Sequence, residues 1–298
     1  MAVQLGIAPI AWSNDDLPQL GGDTPLETCL RQSRLAGFTG VESGGKFPMD
    51  AAVLGAQLAA HDLRLVSGWF SGQLLSGSVA RERERIEQQL ATFKALGAPV
   101  LVYAETTGSV QAQQGVPVSR RPALADSDFP DYGRELTELA DYLAERGVPM
   151  TYHHHMGTVI ETEREVDMLM AHTGPSVGLL VDTGHMVFAG GDPLAMARRH
   201  AARVNHVHCK DIRADVLARV RAEDLSFLDA VLAGVFTVPG DGSIDFRAVA
   251  RLLAEIGYAG WAVVEAEQDP AKANPLTYAR IGYAELTAAL AGAGIEVD

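Results

Sequence analysis

LAEIGYAGWAVVE (253–265) holds a whole structural unit in one line: the end of an amphipathic helix, a glycine, then an apolar run closing on a carboxylate. The same punctuation recurs in SRLAGFTGVE (33–42), FKALGAPVLVY (93–103) and LAERGVPMTY (143–152). Gly37, Gly97, Gly147 and Gly257 suit the left-handed position that closes a helix, and each is followed at once by a strand-like run. Helix starts are also legible. Thr24-Pro25-Leu26-Glu27 reads as N-cap, first-turn proline and capping-box glutamate, and Asp192-Pro193 repeats the cap-plus-proline signal.

Read along the chain, strands fall near 4–11, 38–43, 64–70, 98–105, 148–154, 177–182, 203–209 and 261–266, with helices between them and a last helix near 275–291. Strands alternating with helices pair in parallel through right-handed crossovers. Eight such units in 298 residues predict an α/β chain folded as one (β/α)₈ TIM barrel domain over 1–298. An open doubly wound sheet would usually carry a Gly-rich phosphate loop after its first strand, and APIAWSNDD (8–16) is no such loop. Two connections are long, about 106–130 and 212–244; both follow strands, so both belong on the catalytic rim as candidate lids or surface insertions.

Composition narrows the function. The net charge is −14, which argues against nucleic-acid and anionic-membrane partners, since those need a basic face. No stretch has the apolar length to span a bilayer, and MAVQLGIAPIAW lacks the basic flank and cleavage site of a signal peptide. Cys29 and Cys209 are the only cysteines, so no disulfide framework is implied. A cytoplasmic protein is expected, and the sequence leaves room for a homo-oligomer.

Chemistry gathers at strand ends. TYHHH (151–155), LLVDTGH (179–185), VNHVHCKD (204–211) and AVVEAE (262–267) hold six of the nine histidines. Side chains alternate across a strand, so parity decides which share a face. One consistent choice turns His153, Asp182, His208 and Glu265 inward near the top. Two imidazoles and two carboxylates suit Mn²⁺, Co²⁺, Zn²⁺ or Fe²⁺ rather than Ca²⁺. Plainer readings exist: Asp182 suits capping the turn DTGH, His208 a hydrogen-bonded core position, and Lys210 an ion pair with Asp211. Of His153, His154 and His155, at most two can point inward. Trp12, Asn14, Glu42, Trp69 and Glu105 also stand at strand tops, where a polyol site would use aromatic walls and scattered hydrogen-bonding groups.

VDTGH, HVHCKD and VVE, in that order, resemble the metal-binding strand ends of the xylose-isomerase-like barrels. Within that superfamily, GIAPIAWSNDDLPQLGG, LAGFTGVESGGKFP and TYHHHMGTVIET look like the inosose dehydratases of myo-inositol catabolism. The resemblance covers nearly the whole chain. It implies Asp182, His208 and Glu265 as ligands of Mn²⁺ or Co²⁺, with Zn²⁺ or Fe²⁺ as alternatives. The fourth family ligand is usually a glutamate; His153 takes that position here, with His155 or Glu161 as alternatives. Imidazole in place of carboxylate leaves the ligand set one unit less negative and the metal a stronger Lewis acid. The implied reaction is loss of water from 2-keto-myo-inositol (scyllo-inosose) through an enediolate. His185, Lys210, Glu42 and Glu161 are the candidates for its proton transfers, and Trp12, Asn14, Trp69, Glu105 and His155 for contacts with the keto-inositol. A metal-dependent isomerase or epimerase would use the same ligands. A multi-metal DNA-repair phosphodiesterase would need further histidines on early strands, where this chain reads GVES, SGWF and VYAE.

Overall fold

The computed structural model describes residues 2–297; Met1 and Asp298, the ends of the expected barrel span, lie outside it. Eight parallel strands close on themselves: β1 (Ala2–Ile7), β2 (Gly40–Ser43), β3 (Arg64–Gly72), β4 (Leu101–Glu105), β5 (Met150–His153), β6 (Val177–Asp182), β7 (Val204–Cys209) and β8 (Gly260–Val264). Each pairs with its neighbour in sequence, and β8 pairs with β1 to complete the ring. Each strand is followed by its helix: α1 (Leu26–Ala36), α2 (Ala51–Ala59), α3 (Val79–Leu96), α4 (Phe129–Glu145), α5 (Glu163–His172), α6 (Pro193–Arg199), α7 (Phe246–Glu255) and α8 (Pro275–Gly292). This is the (β/α)₈ barrel that the repeated punctuation predicts.

Local chemistry accounts for the element ends. Gly37, Gly97, Gly147 and Gly257 all have positive φ and turn the chain from helix to strand. Asp192 caps α6 through the N–H groups of Leu194 and Ala195. The cap expected at Thr24 does not form: Pro25 stands at the N-cap of α1 with no side-chain bond, and Glu27 faces His61 instead, 2.9 Å away. β1 stops at Ile7 rather than residue 11, because Pro9–Ala11 winds into a 3₁₀ turn and proline has no N–H for the ladder.

The floor of the barrel is plugged by Trp261, packed with Ala8, Val66 and Val263 and covered by the Arg64 guanidinium, 4.8 Å from the ring centroid. Gly6 and Gly40 leave the room for it. The long connection after β7 is not an open loop. It begins and ends in a two-residue hairpin, Asp211–Ile212 against Phe236–Thr237, and carries the helices Ala214–Glu223 and Phe227–Leu232. Its aromatic and aliphatic side chains form a second apolar cluster with Met156 and Phe188. The connection after β4 bonds to it through the bridge Pro117–Ser226 and through Gln114 to Asp229 at 3.0 Å.

A Cβ on Gly40 would lie 2.4 Å from Val66 and Trp261. Gly40→Ala is therefore expected to destabilise the barrel by about 1–3 kcal/mol. Chemical denaturation measures this, and an unmoved midpoint would mean the floor is looser than its packing indicates.

Candidate metal centre

β5 to β8 deliver their last residues to one place. The register sets Asp182 beside His208 and His208 beside Val263, two residues before Glu265. Ligand atoms of His153, Asp182, His208 and Glu265 lie within 4.8 Å of one another. His153 Nε2 is 3.6 Å and His208 Nδ1 3.5 Å from Asp182 Oδ2. Donor atoms each about 2.1 Å from a common ion stand roughly 3–4 Å apart, so these spacings suit one cation. The approach of His208 Nδ1 to Glu265 Oε2, at 2.6 Å, is shorter and has to open.

A second observation supports the fit. Asp182 Oδ2, His208 Nδ1 and Glu265 Oε2 are all buried and lack a hydrogen-bond partner of proper geometry. Such atoms are costly unless an ion or ligand takes them. His153 is already aimed: its Nδ1 lies 2.6 Å from the His154 carbonyl oxygen, which takes the ring proton and leaves Nε2 turned inward. Asp182 fills both roles read from the sequence. Its Oδ1 accepts the His185 N–H at 2.7 Å, capping the short helix Thr183–Phe188, while Oδ2 faces the cluster.

Behind this group lies another. Lys210 Nζ donates to Glu267 Oε1 at 2.7 Å and stands 2.9 Å from His185 Nε2 and 3.4 Å from Glu265 Oε2. Burial opposes the charged lysine, but Glu265, Glu267 and Asp182 outweigh it and hold the ammonium above its ordinary range. Burial pushes Glu267 up to about 7 despite Lys210, and holds His185 well below the ordinary histidine range. Lys210 does not pair with Asp211. That carboxylate instead accepts the N–H groups of Gly240, Gly242 and Ile244, fixing the turn VPGDGSI.

A cleft of about 690 Å³, counting its open mouth, lies over the cluster. Glu42, Trp69, His155, His208, Glu265 and Glu267 line it, with Asp16 and Gln111 at its edge. Trp69 meets His153 and His155 edge-on at 5.6 and 5.3 Å. Phe227 and Phe236 of the β7 insertion close around His185. His154 is also buried, and its Nε2 accepts the Asp182 N–H at 3.4 Å.

Several candidates lie elsewhere. Trp12 donates to Gln32 of α1 at 2.6 Å and lines a separate small cavity. Asn14 folds back onto the N–H groups of Asp16 and Leu17. Glu105 binds the N–H groups of Leu74 and Thr107 and the Tyr103 hydroxyl. Glu161 is held by Arg121 and the Gly157 N–H and lines a different cavity, with Met156 and Arg221. Glu42 does reach the cleft, where its Oε1 meets His206 and His208. Glu267, Gln111 and Asp16 also line the cleft, beyond the residues the sequence nominates. Glu267 shares the parity of Glu265, a usable signal, whereas Gln111 lies in a loop with no periodicity.

Glu105→Ala strips the acceptor from three backbone amides, those of Leu74, Leu75 and Thr107, and a buried phenol. It is expected to cost about 1–3 kcal/mol of stability. Thermal melting tests this, and an unchanged melting temperature would remove Glu105 from this anchoring role.

Comparison with known proteins places the chain. Residues 30–288 match the family described as xylose isomerase-like TIM barrel. The rhizopine catabolism protein MocC of Rhizobium meliloti is 52% identical, covering 100% of this chain and 92% of that protein. The inosose dehydratase of Geobacillus thermodenitrificans is 47% identical, covering 93% of this chain and 94% of its own. Among solved structures, the IOLI protein with a binding zinc atom superimposes with a TM-score of 0.66 at 16% identity, covering 97% of this chain and 98% of its own. The chain belongs to the xylose isomerase-like TIM barrel family, in the group of its inosose dehydratase relatives.

Proposed function

We propose that this chain is an inosose dehydratase, a hydro-lyase of inositol catabolism that removes water from 2-keto-myo-inositol (scyllo-inosose). The observation that carries the reading is 47% identity, across 93% of the chain, to a protein of that name. The site chemistry is in keeping with it. His153, Asp182, His208 and Glu265 would hold one divalent ion, Mn²⁺ or Co²⁺ by family likeness, with Zn²⁺ or Fe²⁺ also compatible with the donor set. When bound, that ion supplies Lewis acidity toward the ketone and its neighbouring hydroxyl, easing loss of the proton between ketone and leaving group.

The chain's own groups do the rest. Glu267 presents an unpaired Oε2 to the cleft while Lys210 grips its Oε1, so the carboxylate is positioned and adjacent to a proton source. Lys210 and His185 stand behind it, both fully enclosed, and the three act as one proton-transfer unit. The step balances simply. The α C–H bond breaks and its proton goes to this unit, a C=C bond forms, and the β C–O bond breaks. The departing oxygen takes a proton and leaves as water. Trp69 and His155 wall the ring, and Gln111, whose buried Oε1 is unpaired, is placed to accept from a ring hydroxyl. Glu161 takes no part in these transfers, since it faces another cavity. No helix among the described residues is long and apolar enough to cross a membrane, and we place the enzyme in the cytoplasm.

Purified protein loaded with Mn²⁺ or Co²⁺ should convert scyllo-inosose to a product with conjugated enol-dione absorbance. A new stereoisomer without that absorbance would instead establish the isomerase or epimerase reading. Asp182→Asn is expected to lose the metal, as measured by elemental analysis. Glu267→Gln and Lys210→Met are expected to keep it while kcat falls about 10²–10⁴-fold; near-normal turnover in both would remove the proton-transfer unit.

A further inference from the structure

We propose that Glu42 is a positioning residue that aims His208 at the bound ion; this rests on the ion site put forward above. Glu42 stands on β2 and His208 on β7, with β1 and β8 between them in the ring, so the contact runs across the barrel lumen. Glu42 Oε1 lies 3.0 Å from His208 Nε2 and 2.9 Å from His206 Nε2, and it accepts the Ser67 hydroxyl as well. A carboxylate oxygen only accepts, so the His208 ring proton belongs on Nε2. The free lone pair is then on Nδ1, the nitrogen that faces Asp182 Oδ2 and Glu265 Oε2. The other tautomer would set lone pair against lone pair at Glu42. It would also point an N–H into the ion's place.

His206 and Ser67 complete the device from the far side. Both load the same carboxylate oxygen, which fixes Glu42 at the reach His208 needs. Glu42, His206 and His208 are also close enough together to hold a cation of their own. The atoms that face one another, however, are already engaged: Glu42 Oε1 with the Nε2 atoms of His206 and His208 and with the Ser67 hydroxyl. Among the described residues no buried side-chain atom of Glu42 or His206 lacks a partner, whereas three atoms of the His153 cluster do. The contacts through Glu42 Oε1 hold the lumen group together and serve the neighbouring site. A carboxylate behind a ligating imidazole sets ring orientation and raises ligand basicity, and losing such a partner typically weakens metal binding 10–100-fold.

The test uses metal-stripped wild type, Glu42→Ala and Glu42→Gln. Each is titrated with Co²⁺ while its visible ligand-field spectrum is recorded, affinity is fixed by chelator competition, and the metal-free forms are melted in parallel. Glu42→Ala should bind Co²⁺ about 10–100-fold more weakly. Glu42→Gln, which keeps a neutral acceptor, should show a smaller loss, an altered Co²⁺ spectrum and a near-normal metal-free melting temperature. Unchanged affinity and spectrum would overturn the proposal, and so would a raised KM at unchanged Co²⁺ affinity, which marks direct contact with substrate. Should Glu42→Ala fail to fold, Glu42→Gln carries the comparison alone. Wild type that binds no Co²⁺ would overturn the ion site itself, whereas wild-type binding with indifferent Glu42 variants removes only the Glu42 role.

Discussion

Negative charge buried at the mouth of the barrel is the constraint on which the site depends. Glu42, Asp182, Glu265 and Glu267 come together where little water reaches. Carboxylates enclosed this way are expensive unless each oxygen finds a donor or a cation. Lys210 answers for Glu267 through a direct hydrogen bond, and imidazoles answer for Glu42. Asp182 Oδ2 and Glu265 Oε2 are left without partners beside an equally unpaired His208 nitrogen. That imbalance makes a divalent ion the natural occupant of the first cluster, and an ammonium already sits at the second.

The barrel makes such a concentration of charge tolerable by separating tasks along its axis. At the floor, Trp261 and its apolar neighbours fill the lumen and supply packing. Above them Glu42 Oε1 accepts the Ser67 hydroxyl and meets His206 Nε2. At the strand ends above them Asp182 Oδ2, Glu265 Oε2 and Glu267 Oε2 are left without hydrogen-bond partners. The β7 insertion then brings Phe227 and Phe236 against His185, which lowers the local dielectric and strengthens every charge interaction beneath. Asp211 serves the same end indirectly, pinning by three amides the turn that leads from this insertion into α7.

Much of this was legible in the chain. Helix–glycine–strand punctuation fixes the eight units, because a left-handed closing residue and an apolar β-run are local properties. Parity was enough to group His153, Asp182, His208 and Glu265, since strand alternation is strict. What parity leaves open is non-local. Trp12, Asn14 and Glu105 stand near strand tops, but Gln32 takes the Trp12 N–H, nearby amides take Asn14 Oδ1, and amides with a phenol take the Glu105 carboxylate. Position along a strand says which rim a residue reaches; it does not say which partner waits there.

Short-range periodicity and turn chemistry suffice to dictate the barrel, its closing glycines and the four strand ends that carry ligand-type residues. That Glu267 and Gln111 line the cleft, that Glu161 lines another cavity, and that Glu42 meets His208 across the lumen follows from the folded chain alone. Those pairings join residues as many as 166 positions apart. They depend on how the ring closes and how wide its lumen is, and no local pattern in the chain encodes either.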